Sequence, residues 1–210
     1  KDYYAMEVLR AVVSHAFDKV MFKGGTSLSK AWGLIDRFSE DIDLFLDTAL
    51  LGDNPTRGEK DRALKGIRDA VANTTGMPVE LKFSTTGFRR SEYFTYTPKF
   101  AMSMQPKILL EISTASGREP KETVSLRSYV SQFLLDQKIT LGAEDEGAFD
   151  VQVLHFRRTF VEKMFAIHGY VHRLITEQKP IGSYARHYYD LYQLSLRDEV
   201  SQMLASREYG

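Results

Sequence analysis

The chain has no cysteine among its 210 residues, which excludes a disulfide framework, a thiolate metal site and a cysteine nucleophile together. It has no charge imbalance either. Lys+Arg and Asp+Glu each number 28, so any hold on nucleic acid must come from a local patch rather than a global field. No apolar run approaches the roughly 20 residues that cross a bilayer, and the opening residues carry no leader pattern. No membrane association is expected, and a cytoplasmic location is. The chain starts at Lys1 rather than Met, so truncation at either end stays open. Internal repeats and low-complexity tracts are also missing. What is present, 43% apolar and 27% charged residues, is ordinary for a globular protein with a genuine core.

The chemistry concentrates between Val20 and Leu46. A short apolar run, Val20-Met21-Phe22, enters Lys23-Gly24-Gly25-Thr26-Ser27-Leu28. Paired glycines let backbone turn sharply and approach a ligand with no Cβ in the way. Thr26 or Ser27 is expected to cap the following helix, aiming free N–H groups at a phosphate. Next comes Arg37-Phe38-Ser39-Glu40-Asp41-Ile42-Asp43-Leu44. In a strand, Asp41 and Asp43 share one face while Ile42 and Leu44 point into the core. Two carboxylates beside a phosphate suit Mg²⁺, which takes one or two carboxylates and completes its shell with phosphate oxygens and water. A calcium loop does not fit, because Leu44-Phe45-Leu46 stand where further oxygen ligands are needed. Separately, a Gly-Gly turn or an Asp-x-Asp pair is commonplace; their order and spacing together point to nucleotide and metal.

These segments resemble the signature of the AbiEii/AbiGii toxin-type nucleotidyltransferases, within the DNA polymerase β-like superfamily. Downstream, Arg158-Thr159-Phe160-Val161-Glu162-Lys163-Met164-Phe165-Ala166 resembles the family's lysine motif and Ala185-Arg186-His187-Tyr188-Tyr189-Asp190-Leu191 its final aspartate motif. The resemblance implies an α+β fold: a polymerase β-like nucleotidyltransferase domain with a mixed sheet, followed by a mostly helical C-terminal domain. It implies Mg²⁺ (or Mn²⁺) as cofactor and an NTP as substrate. Asp41, Asp43 and Glu111 would be the metal ligands, and Lys23, Gly24, Gly25, Thr26, Ser27 and Lys163 the nucleotide contacts. Asp190 would complete the catalytic set with Asp41, Asp43, Glu111 and Lys163. The family also implies an RNA acceptor, with the tRNA 3′ end foremost, and a separate antitoxin protein in a type IV toxin-antitoxin or phage-defence system. Its members are often longer than this chain.

Periodicity organises the rest. Tyr4 to Phe17 and Thr56 to Thr74 carry helical apolar spacing; Pro78 to Ser84, Glu92 to Thr97 and Lys107 to Ser113 read as strands. Glu111, amid Ile108, Leu109, Leu110 and Ile112, needs a cation or an ion-pair partner if buried. A third metal ligand and a salt-bridged sheet edge are both open. The segment 142–147, with Glu144, Asp145 and Glu146 between glycines, is the expected boundary between domains at 1–141 and 148–210. Beyond it, Arg157 to Ile175, Ser183 to Ser195 and Arg197 to Ser206 read as helices.

That second half holds a local basic excess and four of the five histidines. His168 and His172 share a helix face, but zinc is disfavoured without Cys or an accompanying Glu. Lys163 can pack its stem and extend its ammonium, with Lys23 or Lys30 as additional phosphate cations. Asp190 is either a partner of Arg186, one helical turn earlier, or part of the site. Tyr188, Tyr189 and Tyr192 read as packing residues with base stacking as the alternative. Rival readings are a small-molecule or protein acceptor, a phosphate-releasing NTPase, and a noncatalytic nucleotide- or partner-binding module.

Overall fold

Apolar residues at three- and four-residue spacing from Ala5 to Ala16 make the first helix, α1 (Asp2–Ala16), amphipathic; its buried face begins the core. The computed structural model describes residues 1–37, 39, 41–99, 104–142, 147–180 and 182–206. Along it follow β1 (Val20–Lys23), α2 (Gly24–Lys30), β2 (Asp41–Leu46) and α3 (Arg57–Thr75). Then come β3 (Val79–Thr85), β4 (Arg89–Thr95), β5 (Lys107–Ser113), β6 (Lys121–Leu126), α4 (Tyr129–Asp136) and β7 (Phe149–Leu154). Three helices close the chain: α5 (Phe156–Glu177), α6 (Arg186–Ser195) and α7 (Asp198–Ala205). The expected α+β class is the observed one.

Local chemistry sets the ends of α3. Thr56 and Glu59 form a reciprocal capping box, the Glu59 N–H donating to Thr56 Oγ1 at 3.2 Å and the Thr56 N–H to Glu59 Oε2 at 2.8 Å. Gly76 stops the helix in the left-handed region at φ 66°.

The seven strands form one mixed sheet in the order β3-β4-β5-β2-β1-β7-β6. β1 runs antiparallel to β2 and parallel to β7, and β2 runs parallel to β5. Ile42, Leu44 and Leu46 of β2, Ile108, Leu110 and Ile112 of β5, and Phe94 of β4 bury on one face against α1 and α3. By alternation, Asp41, Asp43 and Glu111 occupy the other face. Their register is direct, with Asp41 beside Leu109 and Asp43 beside Glu111.

A second, smaller core joins Leu28 and Ile35 to Phe156, Phe160, Leu194, Val200 and Met203, seating the C-terminal helices next to α2. The expected boundary fell at 142–147; its residues 143–146 lie outside the described ones, as do Phe38 and Glu40 of the aspartate motif. Phe149–Leu154, placed beyond that boundary by the sequence, is a sheet strand. Its Val151 and Val153 bury in the main core, so all-helical structure starts at Phe156 rather than at 148.

Candidate active site

Gly24 and Gly25 open α2 directly at the end of β1. Gly24 has φ +74°, and a Cβ built on it would lie 2.3 Å from Asp43 Oδ2. A Cβ on Gly25 would meet Arg37 Nη2 at 2.7 Å and Ser39 Oγ at 2.9 Å. Both glycines are thus required by side chains arriving from the β2 side of the fold. The expected helix cap does not form. Thr26 and Ser27 lie inside α2, buried, and their hydroxyls donate to the carbonyls of Asp41 and Gly24 respectively. They brace the turn and have no place on the cavity wall.

A cavity of about 200 Å³ opens above this turn, lined by Lys23, Gly24, Gly25, Arg37, Ser39, Asp41, Asp43, Thr159, Glu162, Lys163, Arg186 and His187. Five sequence-predicted site residues surround it together with Lys163 from α5. Lys23 forms an ion pair with Glu162 at 2.8 Å, and Ser116 donates to the other oxygen of the same carboxylate. Lys30 faces away, bound to Asp2 at 2.8 Å over the ring of Tyr129. It belongs to the α1–α4 side and adds no charge to this cavity.

Asp190 has no exposed surface. Arg37 grips it in a two-pronged bond, Nε to Oδ1 at 2.6 Å and Nη2 to Oδ2 at 2.7 Å, while Lys163 Nζ stands 2.8 Å from Oδ2. The partner is therefore Arg37, 153 residues away, instead of Arg186 on the same helix. Arg186 turns towards Asp41, its Nη2 3.9 Å from Oδ2. Burial opposes charge on Asp190, but hydrogen bonds from Arg37 and Lys163 outweigh it and hold its pKa below the usual carboxylate range. Burial also lowers the Lys163 pKa, against the pull of Asp190. His187 is pushed down to about 4 by burial and the Lys163 charge. It is neutral at pH 7 and able to accept from Lys163 Nζ at 3.2 Å.

Asp43 carries the opposite strain. Burial, followed by repulsion from Glu111 and Asp41, raises its pKa to about 7. Glu111 stands on the neighbouring strand outside the 200 Å³ cavity, its Oε1 accepting from Arg89 at 2.9 Å and Ser91 at 2.8 Å. Of the two sequence readings of Glu111, the structure shows the ion-paired sheet position, from which its charge also acts on Asp43. Among the described residues no three His, Cys, Asp or Glu side chains converge as a ready metal cage. Asp41 and Asp43 nevertheless fit a divalent cation, because a positive ion would offset the burial and the repulsion that raise Asp43. The remaining ligands would be phosphate and water, as Mg²⁺ prefers. Thr159 Oγ1, buried on the cavity wall, has no hydrogen-bond partner among the described residues and suits a phosphate oxygen or water.

Sequence reasoning left Arg37, Thr159, Glu162 and His187 without assigned contacts here and gave Arg186 to Asp190. Arg37 stood within the quoted motif, and its spacing to Asp41 was the available signal. The histidines at 168 and 172 are exposed on α5, away from the cavity.

A family model described as the nucleotidyl transferase AbiEii toxin of type IV toxin-antitoxin systems matches residues 7–209. The chain belongs to the AbiEii family. No curated protein matches it. Among solved structures, MenT4, a nucleotidyltransferase toxin from Mycobacterium tuberculosis H37Rv, superposes with a TM-score of 0.49 and 18% identity over 78% of this chain. The chain spans 51% of that protein's length, a likeness too distant for residues to be carried across. Among the described residues of this AbiEii-family chain no helix is long and apolar enough to cross a membrane.

Proposed function

We propose that this protein transfers an NMP from an NTP to an acceptor hydroxyl, most simply the 3′ end of a tRNA, as the toxin of a type IV toxin-antitoxin pair in the cytoplasm. The single observation that carries the reading is the shared cavity. One wall offers the carboxylates of Asp41 and Asp43, and the others offer the cations Lys23, Lys163 and Arg186 and the glycine turn. That combination takes a triphosphate and its counter-cation together.

In the reaction the acceptor oxygen forms a bond to the α-phosphorus, the α–β bridging bond breaks, and pyrophosphate leaves with the electron pair. Mg²⁺, when held by Asp41 and Asp43, supplies Lewis acidity and neutralises phosphate charge. Gly24 and Gly25 let the phosphates lie against backbone. Lys163, fixed by Asp190 and a neutral His187, presents a cation whose position is set before substrate arrives. Lys23 exchanges its bond to Glu162 for phosphate. Glu111, beside Asp43 on the neighbouring strand, takes up the acceptor's proton in this reading. No covalent enzyme intermediate is needed, so positioning and electrostatics do the work. A separate antitoxin protein restrains this activity.

The test is incubation with Mg²⁺, each α-phosphate-labelled NTP in turn, and total tRNA, followed by a denaturing gel. Wild type is expected to label tRNA with at least one NTP, and Asp41→Ala/Asp43→Ala to label none. Transfer to a small molecule or protein instead would remove the tRNA assignment. Release of orthophosphate without transfer would remove the nucleotidyltransferase reading altogether.

A further inference from the structure

The face of the sheet that carries Asp41 and Asp43 continues outward across β5 and β4 to the edge strand β3. Register places Leu109 beside Asp41, and Tyr93 opposite Leu109. Side chains on one face of neighbouring strands stand about 4.8 Å apart per strand, so Tyr93 lies roughly 10 Å from Asp41 along the sheet. Two lysines flank its ring. Lys82 Nζ is 5.4 Å and Lys107 Nζ 5.3 Å from the ring centroid. Lys107 also pairs with Glu80 at 2.6 Å, on an exposed edge where a phosphate can replace that carboxylate. Further along, Phe83 lies half exposed with the Arg89 guanidinium 6.0 Å from its ring.

This surface is joined to the chemistry by space. A cavity of about 340 Å³ is lined by Asp41, Lys82, Tyr93, Lys107 and Leu109 among others. It shares Asp41 with the triphosphate cavity, but none of Gly24, Gly25 or Lys163 lines it. Displacement at phosphorus places the attacking oxygen and the leaving group on opposite sides. With pyrophosphate leaving on the glycine and Lys163 side, the acceptor approaches the aspartates from another side. The β3–β5 cavity reaches Asp41 by a different route.

We propose that this half-sheet is the acceptor platform, binding the single-stranded end of a polynucleotide with one base on Tyr93 and backbone phosphates on Lys82 and Lys107. The occupant follows from its chemistry. A flat ring between two ammonium groups suits a stacked base whose flanking phosphates are anionic, and alternation of aromatic and basic groups tracks a strand. A small-molecule acceptor would not need the outer position of Phe83 and Arg89. Lys82 and Lys107 bring two ammonium groups to one cavity of a chain that is neutral overall. The proposal rests on the nucleotidyl-transfer reading for its direction, but binding can be measured without transfer.

The experiment is fluorescence anisotropy with a 5′-fluorescein-labelled single-stranded RNA dodecamer of mixed sequence at two salt concentrations, alongside binding of a fluorescent NTP. Lys82→Glu, an exposed change, is expected to weaken RNA binding by about tenfold and to flatten its salt dependence by about one phosphate contact. Tyr93→Leu is expected to weaken it about tenfold, with Tyr93→Trp retaining it. NTP affinity should hold in all three. Unchanged RNA affinity in folded Lys82→Glu and Tyr93→Leu proteins would overturn the platform, as would a wild type that binds NTP but not the dodecamer. Loss of NTP binding in wild type would instead strike the function reading.

Discussion

The two halves of this protein are held in different ways. The sheet and its covering helices α1 and α3 share one continuous apolar core, with Val8, Leu9, Val12, Val20, Phe22, Ile42, Phe94 and Ile108 fully buried. The helices after Phe156 bury far less and leave Phe165, Ile175 and Tyr192 largely exposed, at 72%, 75% and 61%. The small core with Leu28 and Ile35 seats them, and at the site itself charge adds to it: Arg37 to Asp190, Lys23 to Glu162, and Arg186 near Asp41. Apolar packing keeps the first half folded regardless of ligands. In the second half the same side chains that would meet nucleotide also tie the helices to the sheet, so substrate and structure compete for them.

The largest effect should come from cutting the central tie. Asp190→Ala leaves Arg37 and Lys163 facing each other with no anion between them, a change of about 3–5 kcal/mol for a buried pair. Hydrogen exchange should then show α5 and α6 losing protection while β2 and β5 keep theirs. Uniform loss across the sheet would mean that the halves are one cooperative unit and the contrast is false.

A middling effect is expected at the turn. Gly24→Ala puts a Cβ 2.3 Å from Asp43 Oδ2 at φ +74°, so backbone strain of about 1 kcal/mol joins displacement of a carboxylate. Activity should fall at least a hundredfold while denaturant stability drops by only about 1–2 kcal/mol. A large stability loss with activity retained would show that the turn serves the fold rather than the site.

The smallest effect has the opposite sign. Asp43 has its pKa raised to about 7 above an unfolded value near 4. Between those values the native state binds the extra proton, so this group makes stability fall as pH rises from about 4 to 7. Asp43→Asn should therefore melt a few degrees above wild type at pH 8 in metal-free buffer, with the advantage shrinking as pH falls and vanishing by about pH 4, and be inactive throughout. Melting curves in EDTA at the two pH values decide it. A variant that is less stable at pH 8 would show that Asp43 is already compensated by Lys23 and Lys163.

The same contrast explains what could be read without a structure. The spans of α1, α3, β5 and α5 follow from apolar spacing within a few residues of each other, and that signal is local. The glycine turn and the aspartate strand were legible because close approach leaves little chemical choice at such positions. Asp190's partner was not. An ion pair across 153 residues leaves no periodicity, and Arg186 at helical distance was the better local guess. β7 was missed for a related reason, since its neighbours β1 and β6 are remote or weakly patterned, and a parallel pairing has no hairpin turn to announce it. Thr26 and Ser27 look like caps by residue type, yet the strand-to-helix turn leaves them inside α2, where each hydroxyl finds a carbonyl. Lys30 was drawn off by Asp2, which no motif connects to it.

The bond between Arg37 and Asp190 also gives the active site a history. During synthesis the glycine turn and both aspartates emerge first, and Asp190 follows 153 residues after Arg37. At about 5–20 residues per second, that interval is roughly 8 to 30 s. Through it a growing chain lacks the anion that holds Lys163, and β1 still awaits β7. A chain at that stage carries the glycine turn and both aspartates without the tie that sets Lys163, so the site is completed only when synthesis reaches Asp190.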